Sequence, residues 1–350
     1  MIDFTEVKLH NIVVHNIGNS LQEEGMKLSK GPLVFKESIV KELLMKYFLS
    51  PFKGELFYNF FHDAELALNE VYTYASKIFD DPDCFYLQSI NIAKHLYDKS
   101  NHHNIKGGEF YLVYFADCVV NGDVMDAIGL FKSENKDTYL RIFQESDTFE
   151  IEHEQGVNIN KLDKGCLIFN TNREHGYKLC VVDNTNKGQE ALYWKNDFLK
   201  VKQHEDNYFH TQNLMKLTKE FCNEVLDKEY EVSKADQIEL MNRSVQYFAK
   251  KEVFNIMEFQ EEVMGNEESM VTAFNTYKEQ FQEKNQVTTF DEFTISNGAF
   301  KNNKKIFKSI LKLDKNFHVY IHGNRDYIER GYDEIRQMHY YQLFFKNETS

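Results

Sequence analysis

The chain has 350 residues, 42% of them hydrophobic and 15% aromatic, with only 3 prolines and 16 glycines. Such a chain can bury a sizeable core, which excludes a disordered or linker-like protein. Its 41 basic and 55 acidic residues give a net charge of −14, which excludes a general polyanion binder cationic over its whole surface.

No apolar run approaches the roughly 18 residues of a membrane span. The start, Met1-Ile-Asp-Phe-Thr-Glu6, has acids where a signal peptide carries bases. A cytoplasmic protein without membrane contact is the expectation. The five cysteines, Cys84, Cys118, Cys166, Cys180 and Cys222, are odd in number and lack C-x-x-C spacing. They read as reduced, mostly buried thiols and not as a disulfide framework or a zinc ribbon.

In chain order, Phe4–Ile17 is β-branched and roughly alternating, which predicts a strand, and Met26–Phe35 predicts a second, broken at Gly31-Pro32. Ile39, Leu43, Leu44, Tyr47 and Phe48 recur at helical spacing before Pro51. Leu68, Val71, Tyr72, Ala75, Ile78 and Phe79 line the next helix. A third runs from Asp80-Asp-Pro82 to about Ser100.

From Gly107 the period becomes two. Phe110–Val120, Met125–Lys132, Tyr139–Gln144, Phe149–His153, Cys166–Asn170 and Lys178–Asp183 read as strands, with turn signals such as Asn121-Gly122 and Ser146-Asp147 between them. The pattern predicts an antiparallel meander. From about Asp206 helical spacing returns. Leu214, Leu217, Phe221 and Val225 share a face, Ser233–Asp236 resembles a capping box, and helices follow near Met257–Met264 and Ser269–Lys284. Strands are expected again at Ile306–Leu313, Phe317–His322 and His339–Phe345. The fold class is α+β: an antiparallel meander with flanking helices, a helical middle segment and a small C-terminal β unit. The expected domains are 1–204, 205–298 and 299–350.

Catalytic signatures are missing: the chain has no P-loop, dinucleotide-binding glycine fingerprint, nucleophile elbow or H-E-x-x-H. Gly107-Gly-Glu-Phe110 reads as a glycine turn feeding a buried strand. Glu150, Glu152 and Glu154 share a strand face, as do His318, Tyr320 and His322, but the two histidines are too far apart to hold one metal. A metal-dependent site built on Glu150, Glu152, Asp117 and Asp123 lacks an evident nucleophile or base. No cofactor and no metal are implied.

Charge segregates near the C-terminal end. Residues 252–292 hold ten acids against Lys278 and Lys284, about −8, whereas residues 299–318 hold six lysines against Asp314, about +5. In the expected strand 306–313, Lys308 and Lys312 share a face with Ile306 and Ile310, and Arg325 and Arg330 follow in a loop. Tyr320, Tyr327 and Tyr332 interleave with these bases, the pattern of a surface that tracks a phosphate backbone. Lys301, Lys304, Lys305, Lys308, Lys312, Arg325 and Arg330 are the candidate DNA-contacting residues.

Long strings carry a family resemblance: Lys41–Phe52, Lys106–Phe115, Asp126–Lys132, Asn158–Cys166, Val182–Gly188, Tyr193–Phe198, Ile310–Asp314 and Phe317–Arg325. On these residues the chain resembles the bacterial nucleoid-associated proteins of the NdpA type, in their Bacteroidetes form. The resemblance implies a cytoplasmic, nucleoid-localised protein without enzymatic activity, and it transfers no set of DNA-contacting residues. The reading is a non-catalytic protein that binds DNA or DNA-bound complexes through its basic C-terminal surface. The alternative is an adaptor whose acidic helices dock on a DNA enzyme such as a topoisomerase, or on another nucleoid protein. Homo-oligomerisation is left open.

Overall fold

A computed structural model describes residues 2–185, 193–226, 234–265, 267–307, 310–313, 317–320 and 327–347. The chain folds as two compact units, Met1–His204 and Glu205–Ser350.

The first unit is built on an antiparallel sheet. Its strands are β1 (Ile2–Asp3), β2 (Lys8–Ile17), β3 (Met26–Lys27), β4 (Tyr58–Phe60), β5 (Gly108–Val120) and β6 (Asp123–Ser133). They continue after a separate hairpin, β7 (Asp137–Glu145) and β8 (Thr148–Gly156), with β9 (Lys164–Phe169), β10 (Lys178–Asp183) and β11 (Val201–Gln203). The order across the sheet is β11-β4-β10-β9-β6-β5-β2-β3, with β1 also paired to β5. The meander is therefore confirmed, with one correction: among the described residues β7 and β8 pair only with each other and stand outside the sheet.

Both faces of the sheet are covered, and the period of two sorts its side chains between them. Phe110, Leu112, Ile128, Leu130, Cys166 and Ile168 face a core shared with α2 (Glu70–Asp80) and α3 (Phe85–Lys99). Tyr111, Val113, Phe115, Phe131, Leu167 and Phe169 face a second core, which Tyr47, Phe48 and Leu49 of α1 (Ser38–Leu49) enter. Phe48 stacks on Phe131 with ring centroids 4.3 Å apart. Of the rest of the apolar face expected for α1, Leu44 packs partly buried against this core, whereas Ile39 and Leu43 are exposed. The second expected strand shrinks to Met26–Lys27, since the Gly31-Pro32 break leaves too little alternating chain to pair.

Two local features follow from the sequence directly. Asn121 (φ 55°) and Gly122 (φ 97°) join β5 to β6, and positive φ at both central residues is the type I′ turn that matches strand twist. Gly108, where β5 begins, faces the Ser133 carbonyl so closely that an added Cβ would lie 1.8 Å from its oxygen. The Gly107-Gly108 pair is thus an entry into a packed strand.

The second unit packs α4 (Asn207–Glu224), α5 (Lys234–Lys250), α6 (Ile256–Phe259, continued by a wide turn to Met264) and α7 (Glu268–Asn285) around a phenylalanine-rich core. Asp206 caps α4 by accepting from the backbone N–H of Tyr208 (3.0 Å) and Phe209 (3.1 Å). Leu214, Leu217, Phe221 and Val225 are all buried. The capping serine expected at Ser233 lies outside the described residues. A short ribbon, β12 (Val253–Asn255) with β13 (Glu292–Thr294), precedes α8 (Asn297–Asn303). Two further ribbons follow, β14 (Ile310–Leu313) with β15 (Phe317–Tyr320), and β16 (Ile328–Asp333) with β17 (Met338–Leu343). No described helix is long and apolar enough to cross a membrane.

Candidate nucleic-acid interface

The predicted basic residues divide into three groups. Lys301, Lys304 and Lys305 are exposed. Lys312 lies on β14, opposite His318, and Arg330 lies exposed on β16, opposite Tyr341. Lys308 and Arg325 lie outside the described residues. Arg330 is therefore a strand residue and not a loop residue as expected.

The strand expected to begin at Ile306 begins at Ile310 instead. Lys304–Phe307 forms a 3₁₀ turn that continues α8. Packing decides this: Ala299 and Phe307 are buried, and Phe300 and Ile306 pack on the same core. That spacing of apolar residues suits a helix seated on α4. Ser296 caps α8 by accepting from the Ala299 N–H, and its own N–H donates to Thr211 Oγ1 at 2.9 Å. Asn302 Nδ2 donates to the Tyr208 hydroxyl.

The helical turn places Lys301, Lys304 and Lys305 at i, i+3 and i+4, on one face. Among the described residues no carboxylate forms an ion pair with any of the three, whereas Lys251 pairs with Glu258 and with Glu262 (2.7 Å), and Lys278 pairs with Asp291. Lysines at a helix C-terminus are favoured by the helix dipole, but like charges at this spacing repel. An anion laid across the turn relieves that repulsion.

The carboxylate strip on the hairpin does not converge on a metal site. Glu154 accepts from Tyr139 Oη at 2.6 Å and lies 3.4 Å from Arg141 Nη1, and Asp117 pairs with Lys8 at 2.8 Å. Among the described residues no three His, Cys, Asp or Glu side chains group to hold a metal ion. His322 lies outside the described residues.

One polar cluster escaped the sequence reading. Lys132 and Lys164 stand directly opposite each other on β6 and β9, and both side chains are fully buried. Lys132 Nζ lies 3.0 Å from Glu134 Oε1 and donates to the Lys106 carbonyl (2.8 Å) and the Tyr193 hydroxyl (3.2 Å). Lys164 Nζ donates to Asp183 Oδ1 (2.8 Å) and Thr185 Oγ1 (2.7 Å), with Glu134 Oε2 at 4.0 Å. Tyr193 Oη donates to Glu134 Oε1 at 2.9 Å. Asp163 accepts from the backbone N–H groups of Glu134 and Asn135.

Like charges directly opposite across a ladder repel, so the carboxylates of Glu134 and Asp183 are what allow both ammonium groups to stay. Burial pulls Lys132 below the ordinary lysine value, against the attraction of Glu134. Burial, and then Glu134, pushes the Tyr193 phenol well up. The strings Lys106–Phe115, Asp126–Lys132, Asn158–Cys166, Val182–Gly188 and Tyr193–Phe198 all send residues here, so much of the resemblance lies in one buried network. A signal was present: Lys132 is in phase with Ile128 and Leu130, and Lys164 with Cys166 and Ile168, on the inward face of their strands.

A family model described as nucleoid-associated protein YejK matches residues 13–338. No curated protein matches the chain.

Proposed function

The chain belongs to the family of nucleoid-associated protein YejK, and on that premise we propose that it binds DNA directly and without catalysis, through the cationic face of its second unit. Lys301, Lys304 and Lys305 form the centre of that face. Lys308, Lys312, Arg325 and Arg330 are the further candidates for phosphate contact. The observation that carries the reading is the exposed lysine triad, without an ion-pair partner among the described residues, on a turn anchored by Ala299 and Phe307. Pre-positioned cations free of ion pairs are what phosphate binding uses, and binding releases the counterions condensed on the nucleic acid.

A salt titration of the full-length protein on duplex DNA tests the reading. With about four to six phosphates neutralised, log K is expected to fall linearly with log salt with a slope of roughly −4 to −5. Absence of binding at low salt would reject direct contact.

One observation favours the adaptor reading. An open groove of about 800 Å³ runs along α7, lined in part by Glu267, Glu268, Thr272, Thr276 and Tyr277. Its acids suit a basic face of a DNA enzyme such as a topoisomerase, and such association is fast and salt-sensitive. Under that reading the protein fails to shift DNA yet co-purifies with the enzyme after nuclease treatment.

A further inference from the structure

The π-helical segment Tyr193–Leu199, the edge strand β11 and the residues that follow β4 meet around one cleft of the first unit. It holds about 310 Å³ and is lined in part by Phe61, His62, Asn196, Lys200 and Lys202. The backbone here is held in an unusual form. Lys200 has φ 49°, in the left-handed region that side chains with a Cβ rarely enter. Its carbonyl accepts from the Phe61 N–H at 2.8 Å. The buried Asn69 amide donates to the carbonyls of Leu199 (2.9 Å), Phe61 (3.1 Å) and Lys200 (3.2 Å). Strained backbone and π-helical turns collect where a surface has a task beyond packing.

We infer that this cleft binds a free mononucleotide, with its base stacked on Phe61 and its phosphate held by Lys200 and Lys202. Phe61 is 39% exposed, whereas its neighbour Phe60 is 2% exposed and fills the core. Lys202 Nζ stands over the Phe61 ring, 5.6 Å from its centroid. Lys200 Nζ lies 3.7 Å from Glu70 Oε2, too far for a hydrogen bond. That carboxylate therefore leaves the ammonium donors available to a ligand. His62 Nδ1 accepts from the Ala64 N–H at 3.3 Å, which puts the proton of the neutral ring on Nε2, a further donor.

The mixture of groups selects the ligand. Inorganic phosphate would leave Phe61 and Val201 bare, and an uncharged ring would leave two ammonium groups without a counter-charge. An anion that carries a flat ring satisfies both, and base–aromatic stacking then adds to charge-assisted phosphate contacts. Asp63, also in the lining, repels a phosphate but accepts from ribose hydroxyls, which sets the end of the nucleotide that meets the lysines. The volume lies at the small end of the ~300–1,000 Å³ of ligand pockets, so one nucleotide fits and a chain of them does not. A duplex offers no free base face, so the cleft has no part in the duplex contact of the lysine triad.

Equilibrium dialysis of the full-length protein against AMP and GMP tests the proposal. At least one is expected to bind with a dissociation constant below about 100 μM. Inorganic phosphate and the matching nucleoside are each expected to bind at least tenfold more weakly. The K200M/K202M and F61A variants are each expected to weaken the nucleotide at least tenfold with circular dichroism unchanged. The F61L variant keeps an apolar side chain without the flat ring, and it carries the test of stacking if F61A misfolds. A single-stranded octanucleotide is expected to displace the bound nucleotide no better than the free nucleotide does. No binding of AMP or GMP at about 1 mM overturns the proposal. So does binding that inorganic phosphate matches, or that K200M/K202M or F61L leaves unweakened. Tighter displacement by the octanucleotide assigns the cleft to single strands and overturns it as well.

Discussion

Replacing Lys164 with alanine should cost the first unit about 3–5 kcal/mol of unfolding free energy, the usual result of removing one partner from a buried ion pair. The side chain is fully buried and its ammonium bonds Asp183 and Thr185, with Glu134 4.0 Å away. Without it, Lys132 still pairs with Glu134, but the buried Asp183 carboxylate keeps no ion-pair partner among the described residues. The cost is this uncompensated charge, more than the lost bond itself. Replacing Lys164 and Asp183 together by methionine and leucine should recover part of the loss, because the charges then leave as a pair. Trp194 is the only tryptophan in the chain and is buried in the core of this unit. Its fluorescence through a urea titration therefore reports this unit's unfolding. A loss below about 1 kcal/mol would place the network among ordinary surface pairs in energy.

The second large effect concerns binding. Charge reversal at Lys301, Lys304 and Lys305 should weaken duplex affinity on the order of a hundredfold at 0.1 M salt, equally for unrelated sequences, and flatten the salt slope by about 3. All three side chains are exposed, so the core that Phe307 and Ala299 help to fill is untouched. Glutamate at a helix C-terminus opposes the dipole by about 0.3–1 kcal/mol per residue. A lysine-to-glutamine triple variant avoids that penalty and should lose affinity in the same direction. Unchanged affinity in both variants would reject the assignment of these lysines.

Much of this architecture was legible because it rests on periodicity. Alternation located β5, β6, β9 and β10, and the spacing of Leu214, Leu217, Phe221 and Val225 located α4. What escaped was decided by tertiary contacts. The alternation of Tyr139–Gln144 and Phe149–His153 is the same whether a strand joins the sheet or stands in a separate ribbon, so the hairpin's independence could not be read from it. Ile306 and Phe307 are adjacent apolar residues that suit a strand end or a helical turn equally, and only their seat on the second core selects the turn. The apolar stripe of α1 promised full burial, but only its C-terminal half, from Leu44 on, packs on the core, and Ile39 and Leu43 stay exposed.

The candidate site was half legible. The charge run was visible, but its presentation from a helical turn was not. Lys132 and Lys164 were missed because lysine is read by default as a surface residue, although their phase within apolar strands placed them inside. Membership of a nucleoid-associated family does not say which surface meets DNA, so the account depends on where contact occurs.

Lysine acetylation footprinting of the full-length protein, with and without saturating duplex DNA, reads that contact position by position. Lys301, Lys304 and Lys305 are exposed and should be modified readily in the free protein and protected in the complex. Lysines on the first unit, such as Lys53 and Lys202, should keep their reactivity. Undiminished modification of the triad in a sample whose DNA is fully bound would contradict the account.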